Sequence, residues 1–150
     1  MSAHTKLDKR ICLILSALFL IAISQSTIAS DTDKLDCDDA YTTRDMEYCA
    51  SQKSIAADKQ MRHYLIASYT QYNHDPNTVK AIKLSQQAWE VYENSNCQAV
   101  YNSWNTGSIR GLMAINCHTR MTKQRTHELW LNYLTYMDST PPVLPEPIRD

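Results

Sequence analysis

The chain has 150 residues, with 15 Lys and Arg against 16 Asp and Glu and a formal net charge of −1. That balance excludes the basic surface a nucleic-acid-binding protein needs, and the length allows one domain with a modest core.

Lys6, Lys9 and Arg10 precede an apolar run from Ile11 to Ile23, and short side chains follow at Thr27 and Ala29. This is the layout of a secretory signal peptide over residues 1–29, with cleavage after Ala29. At about 1.5 Å per residue the run spans roughly 20 Å, short of the ~30 Å hydrocarbon core. Cys12 lies ahead of most of the run, where a lipobox cysteine could not be, so no stable membrane anchor is expected after cleavage. The expected location is the periplasm or the medium. Cleavage removes three basic residues and Asp8, leaving 12 basic against 15 acidic.

Residues 30–43 read as an acidic arm holding Asp31, Asp33, Asp36, Asp38 and Asp39. A calcium loop would need glycine at its sixth position and glutamate at its twelfth, and neither is present. Thr43 is the expected N-cap of a first helix over about 44–72, with Met46, Cys49, Ala57, Met61, Leu65 and Tyr72 on one stripe. The Asn73-His74-Asp75-Pro76-Asn77 run ends it. Asn77 or Thr78 caps a second helix, striped by Val79, Ile82, Trp89 and Tyr92, that runs to about residue 96. Both glycines, Gly107 and Gly111, fall between Gln98 and Asn116, where no clean period appears, so a long ordered loop is expected there. A third helix carries Cys117, Met121, Leu129, Tyr133 and Tyr136, and closes a domain over 44–137. The remainder, 138–150, contains Pro141, Pro142, Pro145 and Pro147 and reads as a mobile, extended tail. The expected fold is all-α, a small antiparallel three-helix bundle.

Four cysteines survive processing, an even number in a chain routed to an oxidising compartment, so two disulfides follow. With no CxxC pair and with Cys117 directly beside His118, no metal site is expected. A short first turn makes helices one and two antiparallel, which brings Cys37, Cys49, Cys97 and Cys117 to one end and leaves three pairings open. Cys37 with Cys49 and Cys97 with Cys117 is favoured, since the first ties the arm to helix one and the second closes the long loop.

Three polar residues interrupt apolar stripes: Asp58, Gln86 and Arg125. They lie nine residues beyond Cys49, eleven before Cys97 and eight beyond Cys117, roughly 12 to 17 Å along the bundle. The common depth predicts a structural layer in which Asp58 pairs with Arg125, Gln86 satisfies a remaining group and Trp89 packs on the guanidinium. A catalytic reading of Asp58 with Glu128 fares worse, because a carboxylate held by arginine is a poor general acid.

The chain resembles the lysozyme-inhibitor LprI-like family over about residues 37–129. The likeness rests on Cys37 and Cys49 flanking Thr43-Arg44-Asp45-Met46; Ala57-Asp58 with Met61; Gln86-Gln87-Ala88-Trp89 with Tyr92 and Cys97; Gly107-Ser108-Ile109; and Cys117 followed by Thr122 and Arg125. It departs from the family pattern at Arg62, Leu65 and Glu93. The resemblance implies the helical fold and a binding role, with lysozyme or another envelope protein as partner. No Ser-His-Asp motif, phosphate loop or metal-spaced histidines appear, so neither an enzyme nor a cofactor is expected. The segment 101–111 offers aromatic anchors and a cation, and the partner-binding residues expected there are Tyr101, Trp104, Asn105, Ser108 and Arg110. The favoured function is inhibition of lysozyme by occluding its cleft. A periplasmic adaptor or immunity-type protein comes second and a cell-wall enzyme third.

Overall fold

The computed structural model describes residues 35–148, so the expected signal peptide and its cleavage point lie outside the described residues. Three helices make up the fold: α1 (Thr43–Gln71), α2 (Pro76–Ser103) and α3 (Arg110–Tyr133). Among the described residues there is no strand, as an all-α bundle requires.

Local chemistry sets the helix starts. Thr42 caps α1: its hydroxyl accepts from the Asp45 amide at 3.1 Å, and the Asp45 carboxylate accepts from the Thr42 amide at 3.3 Å. The expected cap, Thr43, is displaced because its third following residue is Met46, which cannot reciprocate. Asp75, rather than Asn77 or Thr78, caps α2. Its carboxylate accepts from the Asn77 and Thr78 amides at 3.0 and 3.2 Å and from the Thr78 hydroxyl at 2.7 Å. Pro76 then takes the first helical position, where no N–H is missed. These bonds, led by the Thr78 hydroxyl, hold the Asp75 carboxyl below its ordinary range.

The expected long loop over 98–116 is a correction. Helix α2 continues to Ser103 and α3 begins at Arg110, which leaves a connection of only Trp104 to Ile109. The extra turn of α2 is held by packing, because Val100 lies against the buried cluster of Cys97, Cys117 and Met121. Gly111 is a helical residue, and its glycine serves close approach. A Cβ there would run into the Glu47 carboxylate of α1, which instead sits at the first turn of a helix that has no side-chain cap of its own.

That contact brings the starts of α1 and α3 together, so the two run parallel, with α2 antiparallel to both. Helix α3 is the shared partner; it packs along α1 most extensively and along α2 next, while direct α1–α2 packing is sparse. The disulfides are Cys37–Cys49 and Cys97–Cys117, each with Cα atoms 5.6 Å apart. They close separations of 12 and 20 residues, each stabilising by about 3 kcal/mol in the chain-entropy model. One apolar cluster (Met61, Tyr64, Ile82, Leu129, Leu134) fills the half away from the disulfides, and the Cys97 cluster fills the other.

The segment after α3 is docked, which corrects the expected mobile tail. Backbone carbonyls of this proline-rich segment, at Leu144 and Pro145, are taken up by side-chain donors of the bundle. Tyr64 Oη donates to Pro145 O at 2.7 Å and Trp130 Nε1 to Leu144 O at 2.9 Å, while the Val143 amide donates to Leu134 O at 2.8 Å. Leu144 packs on the first cluster and Pro147 is buried. Burial also raises the Tyr64 pKa, which keeps its phenol protonated as a donor.

Two outcomes follow. By hydrogen exchange, the Val143 amide should be protected well above the Ser139 amide, and Leu144→Ala should abolish the difference. Because the Asp75 pKa is lowered on folding, its contribution is complete at neutral pH and is lost as pH falls through and below the ordinary aspartate value of about 3.9. Asp75→Asn keeps an acceptor but cannot titrate, so its melting temperature should fall less than the wild type's between about pH 5 and pH 2.

Candidate functional site

Between the two apolar clusters lies a polar layer centred on Arg125, which is 6% exposed. Its Nε donates to Gln86 Oε1 at 3.1 Å, Nη2 to Ser85 Oγ at 3.1 Å and Nη1 to Glu128 Oε2 at 3.3 Å. Gln86, itself 3% exposed, passes its own amide hydrogens to Glu90 Oε1 at 3.1 Å and Met61 Sδ at 3.8 Å. The Gln86–Arg125 contact is present.

The expected Asp58–Arg125 pair is not formed. Asp58 bonds Arg62, one turn along its own helix, and both side chains are substantially exposed. An exposed carboxylate with a guanidinium four residues on has no reason to cross the bundle, and Glu128, three residues beyond Arg125, is the nearer acid. Trp89 forms part of the wall of a cleft of about 200 Å³ between α1 and α2, together with Gln86, Glu93 and Thr122. It also packs on both apolar clusters. Among the described residues the cation–π contacts are made by Lys83 and Arg110, not by Arg125 on Trp89. Tyr69 overlooks the same region. Burial raises its pKa first and Glu90 second, against a smaller opposing effect of Arg125, so its phenol stays neutral.

Glu93 of α2 bonds Nδ1 of His118 in α3 beside the second disulfide. The donor atoms of Glu93, Cys97 and His118 lie within 4.8 Å of one another, but the Cys97 sulfur is bonded to Cys117. With the disulfide intact only two ligands are left, too few for a structural zinc site.

The five residues expected to bind a partner all fall at the tip of the α2–α3 hairpin. Tyr101 lies in the last turn of α2, and the Arg110 guanidinium lies 4.7 Å above its ring centroid while Nη1 donates to Asn105 O at 3.0 Å. Asn105 adopts a left-handed φ of 42°, a conformation asparagine tolerates better than most residues. Gly107 N donates to Trp104 O at 2.8 Å, and a Cβ on Gly107 would stand only 3.0 Å from that carbonyl. Trp104 is 41% exposed and Ser108 is exposed. The Cys97–Cys117 bridge crosses the two helices just below. The internal clamp by Arg110 was not read from the sequence, although an aromatic residue nine positions before a cation across a turn was available as a signal. Ser85 and Glu128, which complete the polar layer, were also missed as its members.

A family model described as lysozyme inhibitor LprI matches residues 37–129. The chain belongs to the lysozyme inhibitor LprI family. The matched LprI span begins at Cys37 and ends at Leu129, so it takes in both disulfides, the Arg125 layer and the hairpin tip and stops short of the docked segment after α3. An uncharacterized protein of Rhizobium meliloti (strain 1021) is 24% identical over 124 residues, covering 75% of this chain and 89% of that protein. No solved structure matches the chain. Among the described residues no helix is long and apolar enough to cross a membrane.

The two environments predict different costs for the two charges. Asp58→Ala should change stability by no more than about 0.5 kcal/mol, as for an exposed helix pair. Arg125→Ala should cost about 2–4 kcal/mol, because it strands Gln86 and opens a void in the core. Urea denaturation of the two variants checks both values.

Proposed function

We propose that this protein is an exported inhibitor of lysozyme that inserts the α2–α3 tip, residues 101–110, into the enzyme's active-site cleft. The reading is supported by membership of the LprI family, whose name records lysozyme inhibition. The observation that carries it is the build of the tip. Exposed Trp104 and Ser108 stand on a short connection that is braced by Arg110 and closed beneath by a disulfide. A loop already held in shape loses little freedom on binding, so more of its contact energy survives as affinity.

Lysozyme hydrolyses the glycosidic bond between two carboxyl groups in a long cleft. A partly exposed indole can fill a sugar subsite by apolar contact. Two of the Arg110 nitrogens, Nε and Nη2, are left to meet a carboxylate after Nη1 has bonded Asn105 O. The protein supplies no reacting group in this scheme; it excludes substrate. Export with cleavage after Ala29 places it where it can meet the enzyme, and disulfides suit that compartment.

The test uses the protein recovered in oxidised form after expression of the full chain, assayed against chicken-, goose- and invertebrate-type lysozymes. At least one should be blocked near one-to-one stoichiometry. Trp104→Ala should weaken inhibition at least tenfold, about 1.4 kcal/mol, with an unchanged melting temperature. Activity of all three enzymes in its presence would reject inhibition and leave an adaptor for another envelope protein. Full inhibition by the Trp104 variant would remove the tip from the contact.

A further inference from the structure

At the opposite end of α2, where it follows α1, lies an open groove of about 470 Å³ lined by Tyr69, Asn73, Pro76, Val79, Lys80 and Lys83. Its size falls within the range of about 300–1,000 Å³ typical of small-molecule sites. The lining divides by chemistry. Tyr69, Pro76 and Val79 give an apolar wall, Lys80 and Lys83 give two cations one helical turn apart, and Asn73 adds an amide.

The charge is the unusual part. No carboxylate lines this groove, in a chain where acids outnumber bases. The acid next in sequence, Asp75, has both oxygens committed to the cap of α2. Glu90, farther along the same helix, accepts from Gln86. Lys80 makes no hydrogen bond or ion pair among the described residues. Lys83 has only the face of Tyr69, with its ammonium 5.5 Å from the ring centroid. Two cations thus stand beside apolar surface with no protein anion between them.

We propose that this groove binds an amphipathic anion, a carboxylate joined to an apolar body. Lys80 and Lys83 hold the carboxylate, and Tyr69, Pro76 and Val79 cover the body. A free inorganic anion would leave the apolar wall uncovered, and a neutral apolar molecule would leave the ammonium groups unmatched. The groove is some 25 residues along α2 from Trp104, about 37 Å at helical rise, so occupancy here does not compete with a partner at the tip. The inference stands independently of the lysozyme reading.

Calorimetry and amide chemical-shift mapping on the oxidised full-chain protein test it with three probes: dodecanoate below its micelle concentration, N-acetylphenylalanine and dodecyltrimethylammonium. Dodecanoate or N-acetylphenylalanine should bind at one-to-one stoichiometry, with shifts concentrated in residues 69–83. Which of the two binds more tightly tells an acyl chain from a compact aromatic acid as the source. The cationic amphiphile should bind at least tenfold more weakly than dodecanoate. K80E/K83E, changing two exposed side chains, should weaken the carboxylate at least tenfold, and K80R/K83R should retain it. Failure of both carboxylates to bind overturns the proposal, as does equal affinity for the cationic probe, or a K80E/K83E variant that binds like the wild type.

Discussion

A guanidinium inside a protein must find an acceptor for each of its edges, since each unmet donor carries its full desolvation cost. Arg125 meets that demand across the α2–α3 interface, with Gln86 and Ser85 on one helix and Glu128 on its own. This arrangement sets the register of α2 against α3, because a shift of one turn would carry the Gln86 carbonyl away from Nε. The apolar clusters on either side are then placed by it. Ile82 and Leu129 fall below the layer and Cys97 and Met121 above. Stability comes mainly from the clusters, and the layer selects which packing of them is native.

From that register follows the position of the hairpin tip. With α2 and α3 locked at Arg125 and again at the Cys97–Cys117 bridge, the chain must turn within a few residues. The left-handed Asn105 and the close-approaching Gly107 are the local means. Arg110 then serves the turn before it serves any partner, stacked on Tyr101 and bonded to the Asn105 carbonyl. A tip built this way is stiff because of contacts that an inhibitor would need in advance of binding.

Helix α3 mediates most of the packing between the other two. Since α1 and α2 scarcely touch, clefts open between them, one walled by Trp89 and the other by Tyr69, Lys80 and Lys83. The carboxy-terminal segment completes the core on another side, where Leu144 joins the cluster of Tyr64 and Leu134. That segment lies past the span matched by the LprI family model.

Much of the fold could be read from the residues alone. Helical periodicity, an even set of cysteines and a proline-broken turn were enough for three helices, up-down-up order and two disulfides, because each is a local pattern or a consequence of a short connection; the pairing was a preference among three, and the favoured one is formed. Constant helical rise gives Asp58, Gln86 and Arg125 a common depth in the sequence, but it does not give their partners. Glu128 stands one turn from Arg125 on α3 itself, whereas whether Asp58 reaches across depends on the rotation of α1 about its axis. The end of α2 and the start of α3 were hidden for a similar reason. Val100 and Gly111 show no period by themselves; the first packs on a disulfide at the end of α2, and the second is a glycine within α3 because Glu47 occupies the space a side chain would take. The docked prolines were misread because nothing in that stretch reveals that Tyr64 and Trp130, 81 and 14 residues away, point donors at its carbonyls. Local sequence determined what each segment could be, and tertiary contact decided where segments ended and which polar groups met. Those choices depend on distances between side chains that sequence order does not contain.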